Sequence, residues 1–207
     1  MCIRDRQWAA LGLSLDYTKE RFTLDDGMQD AVAEVFTKLY NEGLIYRGER
    51  IINWDVEAKT ALSNIEVEYK DVEGAFYHFI YPFVDGEGGL EIATTRPETM
   101  FGDTAVMVHP DDERYAHLVD KYVEVPLSHQ KVKIYPDEEV DPEFGTGAVM
   151  VCTFGDKTDV AWVNKHNLEI LDAIDEKGRL TEVAGRYEGM DLATCKAKTI
   201  EDLKDEG

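Results

Sequence analysis

Apolar positions follow two different periods along the chain. Between residues 23 and 43, Met28, Ala31, Val32, Val35, Phe36, Leu39 and Tyr40 recur three or four apart, which predicts one helix with an apolar stripe. Thr23 with Asp26 resembles a capping box at its start, and Gly43 is a natural stop. The segment "LIYRGERIINW" that follows reads as a hairpin-like pair of short strands. From about residue 74 the period shortens. "GAFYHFIYPF", "LEIATT", "TAVMVH", "KYVEVP", "KVKIYP" and "GAVMVCT" are short β-branched or aromatic runs separated by Gly, Pro and Asp, the mark of a barrel or a sandwich. Two helical stretches close the chain: "TDVAWVNKHN", with Val160 and Val163 on one face, and residues 191–205, charged and exposed in character. The change of pattern places a boundary near Lys70 to Gly74, and Trp54 and Trp162 are expected in the core.

Composition narrows this picture. A chain of 207 residues with 43% apolar content can bury a sizeable core. No apolar run approaches the length of a membrane span, so a soluble protein is expected. Cys2, Cys152 and Cys195 are scattered and odd in number, which fits a reducing cytoplasm and gives neither a disulfide framework nor a metal-ligand motif. The net charge is -21: residues 1–70 carry 9 Lys+Arg against 13 Asp+Glu, and residues 71–207 carry 13 against 30. Such a surface repels nucleic acid except where a few cations are placed locally. Residues 1–6, "MCIRDR", match nothing that follows and resemble translated adapter sequence, so they are set aside as a non-native leader. That leader and the abrupt charged end "TIEDLKDEG" suggest a piece of a longer protein.

Four clusters could carry chemistry. In "EIATTRPETMFGDTAVMVHP" a bend between two strands holds Thr94, Thr95, Arg96, Glu98 and Thr99, where turns ordinarily use Gly, Asn, Asp or Ser. In "DPEFGTGAV", Gly145 and Gly147 flank Thr146 and suit either close backbone approach to a ligand or an ordinary turn. In "GDKTD", Asp156 and Asp159 share one face of a first helical turn, and N-capping by Asp156 or Thr158 is the structural alternative. The fourth is "INWD", residues 52–55, leading into "KTALSNIEVEY". His109, His117, His129 and His166 lack ligand spacing, so no metal site is expected.

Taken together, "ATTRPETMFGDTAVMVHPDDERY" and "DPEFGTGAV" resemble the editing domain of the class I aminoacyl-tRNA synthetases for branched aliphatic amino acids. "LYNEGLIYRGERIINWD" and "KTALSNIEVEY" resemble the catalytic-domain segment that leads into it. Glu98 and Asp55 favour the valine-specific branch over the isoleucine and leucine branches. The resemblance implies an α+β fold: a β-barrel editing domain with peripheral helices over residues 73–207, preceded by a partial helix–hairpin piece of a nucleotide-binding domain over 7–72.

It also implies hydrolysis of a wrongly attached threonyl ester at the 3′ end of valine tRNA, without a cofactor. By the same resemblance Thr94, Thr95 and Asp159 are catalytic, with Asp159 holding the substrate ammonium. Arg96, Thr99, Phe144, Gly145, Met150, Cys152, Asp156 and Lys157 bind substrate, with Phe144 and Gly145 walling the pocket near the terminal adenosine and Asp156 meeting the threonine hydroxyl. ATP and magnesium belong to the intact synthetase. Its His-Gly and Lys-Met-Ser-Lys-Ser signatures occur nowhere in these residues, so no valine activation is expected of this chain.

Three positions depart from the common bacterial pattern: Met150 stands for a lysine, Cys152 for a threonine and Gly155 for a histidine, and "CTFGDKTDV", residues 152–160, resembles an archaeal-type variant. Two alternatives stay open: a docking module for the tRNA end without hydrolytic activity, and an isoleucyl- or leucyl-type editing domain.

Overall fold

The computed structural model describes residues 3–48 and 50–206. Met1 and Cys2, of the supposed leader, Glu49, in the expected hairpin, and the terminal Gly207 lie outside the described residues. The chain divides into two compact units, Met1–Arg50 and Ile51–Gly207. The division thus falls some way before the change of pattern near residue 72.

The first unit holds helices α1 (Ile3–Ala10) and α2 (Asp26–Asn41) with a 3-10 turn at Tyr17–Lys19 between them. Helix α1 runs through residues 3–6, which belong to the supposed leader. The N-cap of α2 is Asp25, whose Oδ1 accepts the Met28 amide at 2.8 Å, so the expected Thr23–Asp26 box does not form. Helix α2 stops where Gly43 adopts φ +73, with the Gly43 and Leu44 amides donating back to Tyr40 and Leu39.

The second unit opens on a hairpin of β1 (Asn53–Asp55) and β2 (Thr60–Leu62). It lies downstream of the expected one: the described residues of 44–52 form no strand. Asp55 Oδ1 accepts the amides of Glu57 and Ala58, both at 2.8 Å, and this closes the turn. Trp54 is 40% exposed rather than in the core; its indole donates to the Glu176 carbonyl at 2.9 Å.

All six strands read from the sequence after residue 74 form: β3 (Tyr77–Pro82), β4 (Gly89–Thr94), β5 (Asp103–Val108), β6 (Tyr122–Glu124), β7 (Lys131–Pro136) and β8 (Ala148–Cys152). They make an antiparallel β3–β4 pair and a four-stranded sheet of order β6-β7-β5-β8. The fold is α+β with small sheets, and among the described residues no barrel closes. One bridge, Phe83 to Val123, ties the pair to the larger sheet. Strand β5 has both edges taken, by β7 in parallel and β8 antiparallel, and no ladder joins β4 to β8. Side chains also link the pair to the larger sheet: the Tyr81 hydroxyl on β3 reaches Asp103 on β5 and, at 3.9 Å, the Met150 sulfur on β8.

Strand β5 is buried on both faces, and its period of two divides it between two cores. Val106 and Val108 join Ile92, Ile134 and Met150 in the larger core. Ala105 and Met107 join Val151, Trp162 and Val163 beneath helix α3 (Lys157–His166). Each buried Val, Ile or Met among them contributes about 1.5–3 kcal/mol by leaving water, and Ala105 less. Helix α4 (Leu192–Glu206) is charged, as its sequence implies, but it is not wholly exposed: Cys195 and Thr199 are fully buried. No described helix is long and apolar enough to cross a membrane.

Candidate active site

The threonine bend follows β4. After Thr94 the chain turns at Arg96 and enters a 3-10 segment, Pro97–Gly102, every residue of which is buried. Two of the three hydroxyls shape the bend. Thr94 Oγ1 accepts the Arg96 amide at 3.2 Å, and Thr99 Oγ1 donates to the Arg96 carbonyl at 2.9 Å. Thr95 is exposed, and its carbonyl accepts the Lys196 ammonium at 2.8 Å.

The facing wall is the end of β8 and the loop into α3. Asp156 is the N-cap of α3: its Oδ1 accepts the amides of Thr158 at 2.7 Å and Asp159 at 3.0 Å. The capping alternative therefore holds, and it turns Asp159 back toward β8. Arg96 Nη2 donates to the Gly155 carbonyl at 3.1 Å, fastening the bend to this loop. Between them lies a hollow of about 300 Å3, lined among others by Arg96, Thr99, Cys152, Gly155 and Leu171.

Behind this hollow sits a file of buried ionisable groups. The Cys152 thiol donates to Asp159 Oδ2 at 3.5 Å. Asp159 is only 5% exposed. Burial, then the neighbouring Asp156 charge, push its carboxyl up to about 7, against the Cys152 hydrogen bond and the Arg96 charge. Burial, with the charges of Asp103 and Asp159, pushes the Cys152 thiol up to about 12, so it serves as a neutral donor. Asp103 lies beside Cys152 on the neighbouring strand. Its Oδ2 accepts the Tyr81 hydroxyl and its Oδ1 has no partner, and burial raises its carboxyl well above the usual carboxylate range. Glu98 Oε2 is likewise buried without a hydrogen-bond partner.

Gly155 is fixed by this packing. A Cβ there would lie 2.2 Å from Asp159 Oδ2 and 2.3 Å from Cys152 Sγ. A histidine at this position would have to displace both of them.

The structure thus brings Arg96, Thr99, Cys152 and Asp159 into one site, with Thr94, Thr95, Asp156 and the exposed Lys157 at its edge. It does not bring in Met150, which packs into the core against Tyr81. Phe144 stands apart, 59% exposed, with its ring edge-on to Phe76 at 5.8 Å. Gly145 lies against Ala93, one residue before the bend. Gly147 is a packing glycine: a Cβ there would strike Arg114 Nη2 and the Pro142 carbonyl, which hydrogen-bond each other at 2.8 Å. The pattern of the sequence missed Asp103, hidden as the first residue of an apolar run, and Lys196, which lies 101 residues from its partner. No three His, Cys, Asp or Glu side chains converge to hold a metal among the described residues.

The hydroxyl-rich bend is thus fastened, through Arg96, to the loop that leads into the buried Asp159 carboxyl. A match to the family model "tRNA synthetases class I (I, L, M and V)" spans residues 2–191, and the chain belongs to this family. Its relatives include the valine–tRNA ligases of Staphylococcus carnosus and Bacillus subtilis, each 57% identical over 201 residues, and that of Halalkalibacterium halodurans, 56% identical over 202. These alignments cover 97–98% of this chain and 23% of each relative, so the chain spans under a quarter of their length. A leucyl-tRNA synthetase of Agrobacterium radiobacter K84, solved in a ternary complex with tRNA and LeuAMS, superposes with a TM-score of 0.48 and 18% identity over 98% of this chain and 34% of that one.

Proposed function

We propose that the second unit is the editing site of a valine-specific synthetase, hydrolysing threonyl ester at the 3′ end of valine tRNA. The observation that carries this is the buried Asp159 carboxylate behind the hollow beneath Arg96. A substrate ammonium entering there meets a negative charge in a site largely shut off from water, where the attraction is strong. The chemical need is general: a hydrophobic pocket rejects an isostere with an added hydroxyl only weakly, a weakness for which valine-specific synthetases are the standard illustration. A second pocket that demands the hydroxyl solves it, because valine leaves buried polar groups unpaired.

In this reading Asp159 holds the ammonium, the Cys152 thiol steadies Asp159, and Arg96 with the Thr94, Thr95 and Thr99 hydroxyls orders the ester and its attacking water. Asp156 and Lys157 meet the threonine hydroxyl, and Phe144 with Gly145 flanks the terminal adenosine. The wider activity, joining valine to tRNA with ATP and magnesium in the cytoplasm, is proposed for the full-length synthetase alone. A docking role without hydrolysis is the second reading; it is favoured by Met150, an uncharged side chain packed in the core, and by the acidic surface.

Asp159→Ala separates the two. It should lower deacylation of threonyl-tRNA about ten- to a hundredfold, as expected when a charge-assisted hydrogen bond worth about 1.5–3 kcal/mol is removed. An unchanged rate in a variant with wild-type circular dichroism would remove Asp159 from the site.

A further inference from the structure

We propose that Lys196, on α4, is a positioning residue for the threonine bend, fixing the orientation of the Thr95–Arg96 peptide so that Thr94 and Arg96 are set for hydrolysis of the substrate ester. This rests on the editing reading of the same site. The ammonium donates to the Thr95 carbonyl at 2.8 Å and lies 5.4 Å from the centre of the Tyr77 ring. Tyr77 is paired with Thr94 across β3 and β4, so Lys196 sits over the very end of that ladder. Its helix is a firm support. The preceding residue, Cys195, and Thr199 one turn on are both fully buried, and the Asp191 carboxylate accepts the Thr194 amide at 3.0 Å to cap the first turn.

The consequence follows from the planarity of the peptide. In a trans peptide the carbonyl and the next N–H point in opposite directions. With the Thr95 carbonyl held by Lys196, the Arg96 N–H is aimed at Thr94 Oγ1, the hydrogen bond seen at 3.2 Å. That bond occupies an acceptor position of the Thr94 hydroxyl and leaves its proton free to donate. The same peptide sets the start of the Arg96 side chain, whose guanidinium grips the Gly155 carbonyl on the loop that carries Asp159. Freed from Lys196, the peptide can rotate, and both Thr94 and Arg96 lose their orientation together. A lysine suits this post: its long stem spans the gap from the helix, and its point charge binds a carbonyl and a ring face at once.

The test compares this chain with Lys196→Met, which keeps the stem and removes the charge, and Lys196→Arg, which keeps a donor. Threonyl-tRNA is the substrate. Lys196→Met should lower kcat about tenfold or more, the scale of a misplaced reacting group, with KM and Tm close to wild type, and Lys196→Arg should recover most of the loss. Exchange of the Arg96 amide hydrogen should quicken in Lys196→Met while that of α4 stays the same. A wild-type kcat in Lys196→Met would overturn the proposal. So would a rise in KM alone, which would make Lys196 a binding group for the tRNA instead. If the wild-type chain itself fails to hydrolyse the ester, the editing reading fails and amide exchange decides: faster exchange at Arg96 supports the anchor, and unchanged exchange refutes it.

Discussion

Helices α2 and α4 are the instructive pair. Helix α2 has the clearer apolar stripe, yet Val32, Val35, Phe36 and Tyr40 are all more than half exposed. Helix α4 has a poor stripe, Cys195 and Thr199 among lysines and acids, yet both residues are completely buried. Amphipathic pattern makes a helix; it does not supply the surface that covers it. In the second unit that surface exists. The segment Pro97–Gly102 lies against α4, and the Tyr187 ring stacks on Phe101 at 4.7 Å while its hydroxyl donates to Asp202 on α4 at 2.6 Å. The two helices therefore differ in what each residue is worth.

Substituting the two phenylalanines gives the widest split. Phe101→Ala should cost about 3–5 kcal/mol, since the ring is 1% exposed, whereas Phe36→Ala on α2 should cost under about 0.5 kcal/mol. Urea unfolding followed by fluorescence and by circular dichroism reads both values, and equal costs would erase the contrast.

The next effect depends on pH. The Asp159 carboxyl lies at about 7 in the folded chain, against an ordinary value of 3.8, so between these values the folded state holds a proton that the unfolded chain has lost. The stability contributed by this group is therefore fully present below about pH 4 and is lost as pH rises through about 7. Asp159→Asn removes the loss. It should match wild type near pH 4 and exceed it at pH 8, by on the order of 2–4 kcal/mol, as a melting series would show. Activity runs the other way: binding of the ammonium needs the ionised carboxylate, so wild-type hydrolysis should climb through the same pH range. A site residue that weakens the fold while serving the reaction is the expected mark of function. No residue of α2 should show it.

Gly155→Ala comes third. Its methyl meets Asp159 and Cys152 at closer than van der Waals distance and should cost about 1–3 kcal/mol, with a larger loss of hydrolysis than of stability. Asp25→Ala is the smallest change, about 1 kcal/mol, confined to helix content in the first unit.

Much of the fold was legible because strand runs carry their signal locally. All six runs after residue 74 became strands, and Asp156 capped α3 as its spacing allowed. What escaped was set by distance along the chain. Closure of a barrel depends on which edges meet, and nothing within "LEIATT" or "GAVMVCT" says that β4 and β8 will face each other without a ladder. The burial of α4 depends on Phe101 and Tyr187, which its own sequence does not mention. In the site, the bend and the two aspartates stood out as polar residues in unusual places. Asp103 and Lys196 did not, because a lone acid before an apolar strand and a lysine on a charged helix are ordinary until their partners are known. Met150, placed in the site by resemblance, belongs to the core because β8 is apolar throughout and Met150 stands with Ala148 on the face that meets the larger core.

Selectivity between two esters tests the central claim most directly. The same valine tRNA, charged with threonine or with valine, is offered to this chain at high enzyme and low salt, since a net charge of -21 weakens tRNA binding. The side chains are nearly equal in size and differ by one hydroxyl. Valine leaves the partner of that hydroxyl without its hydrogen bond, which should slow hydrolysis of the valyl ester about ten- to a hundredfold. Threonyl ester cleaved at least that much faster, with the preference reduced in Asp156→Ala, is the predicted result. Equal rates on the two esters would contradict the editing assignment and leave the docking role in its place.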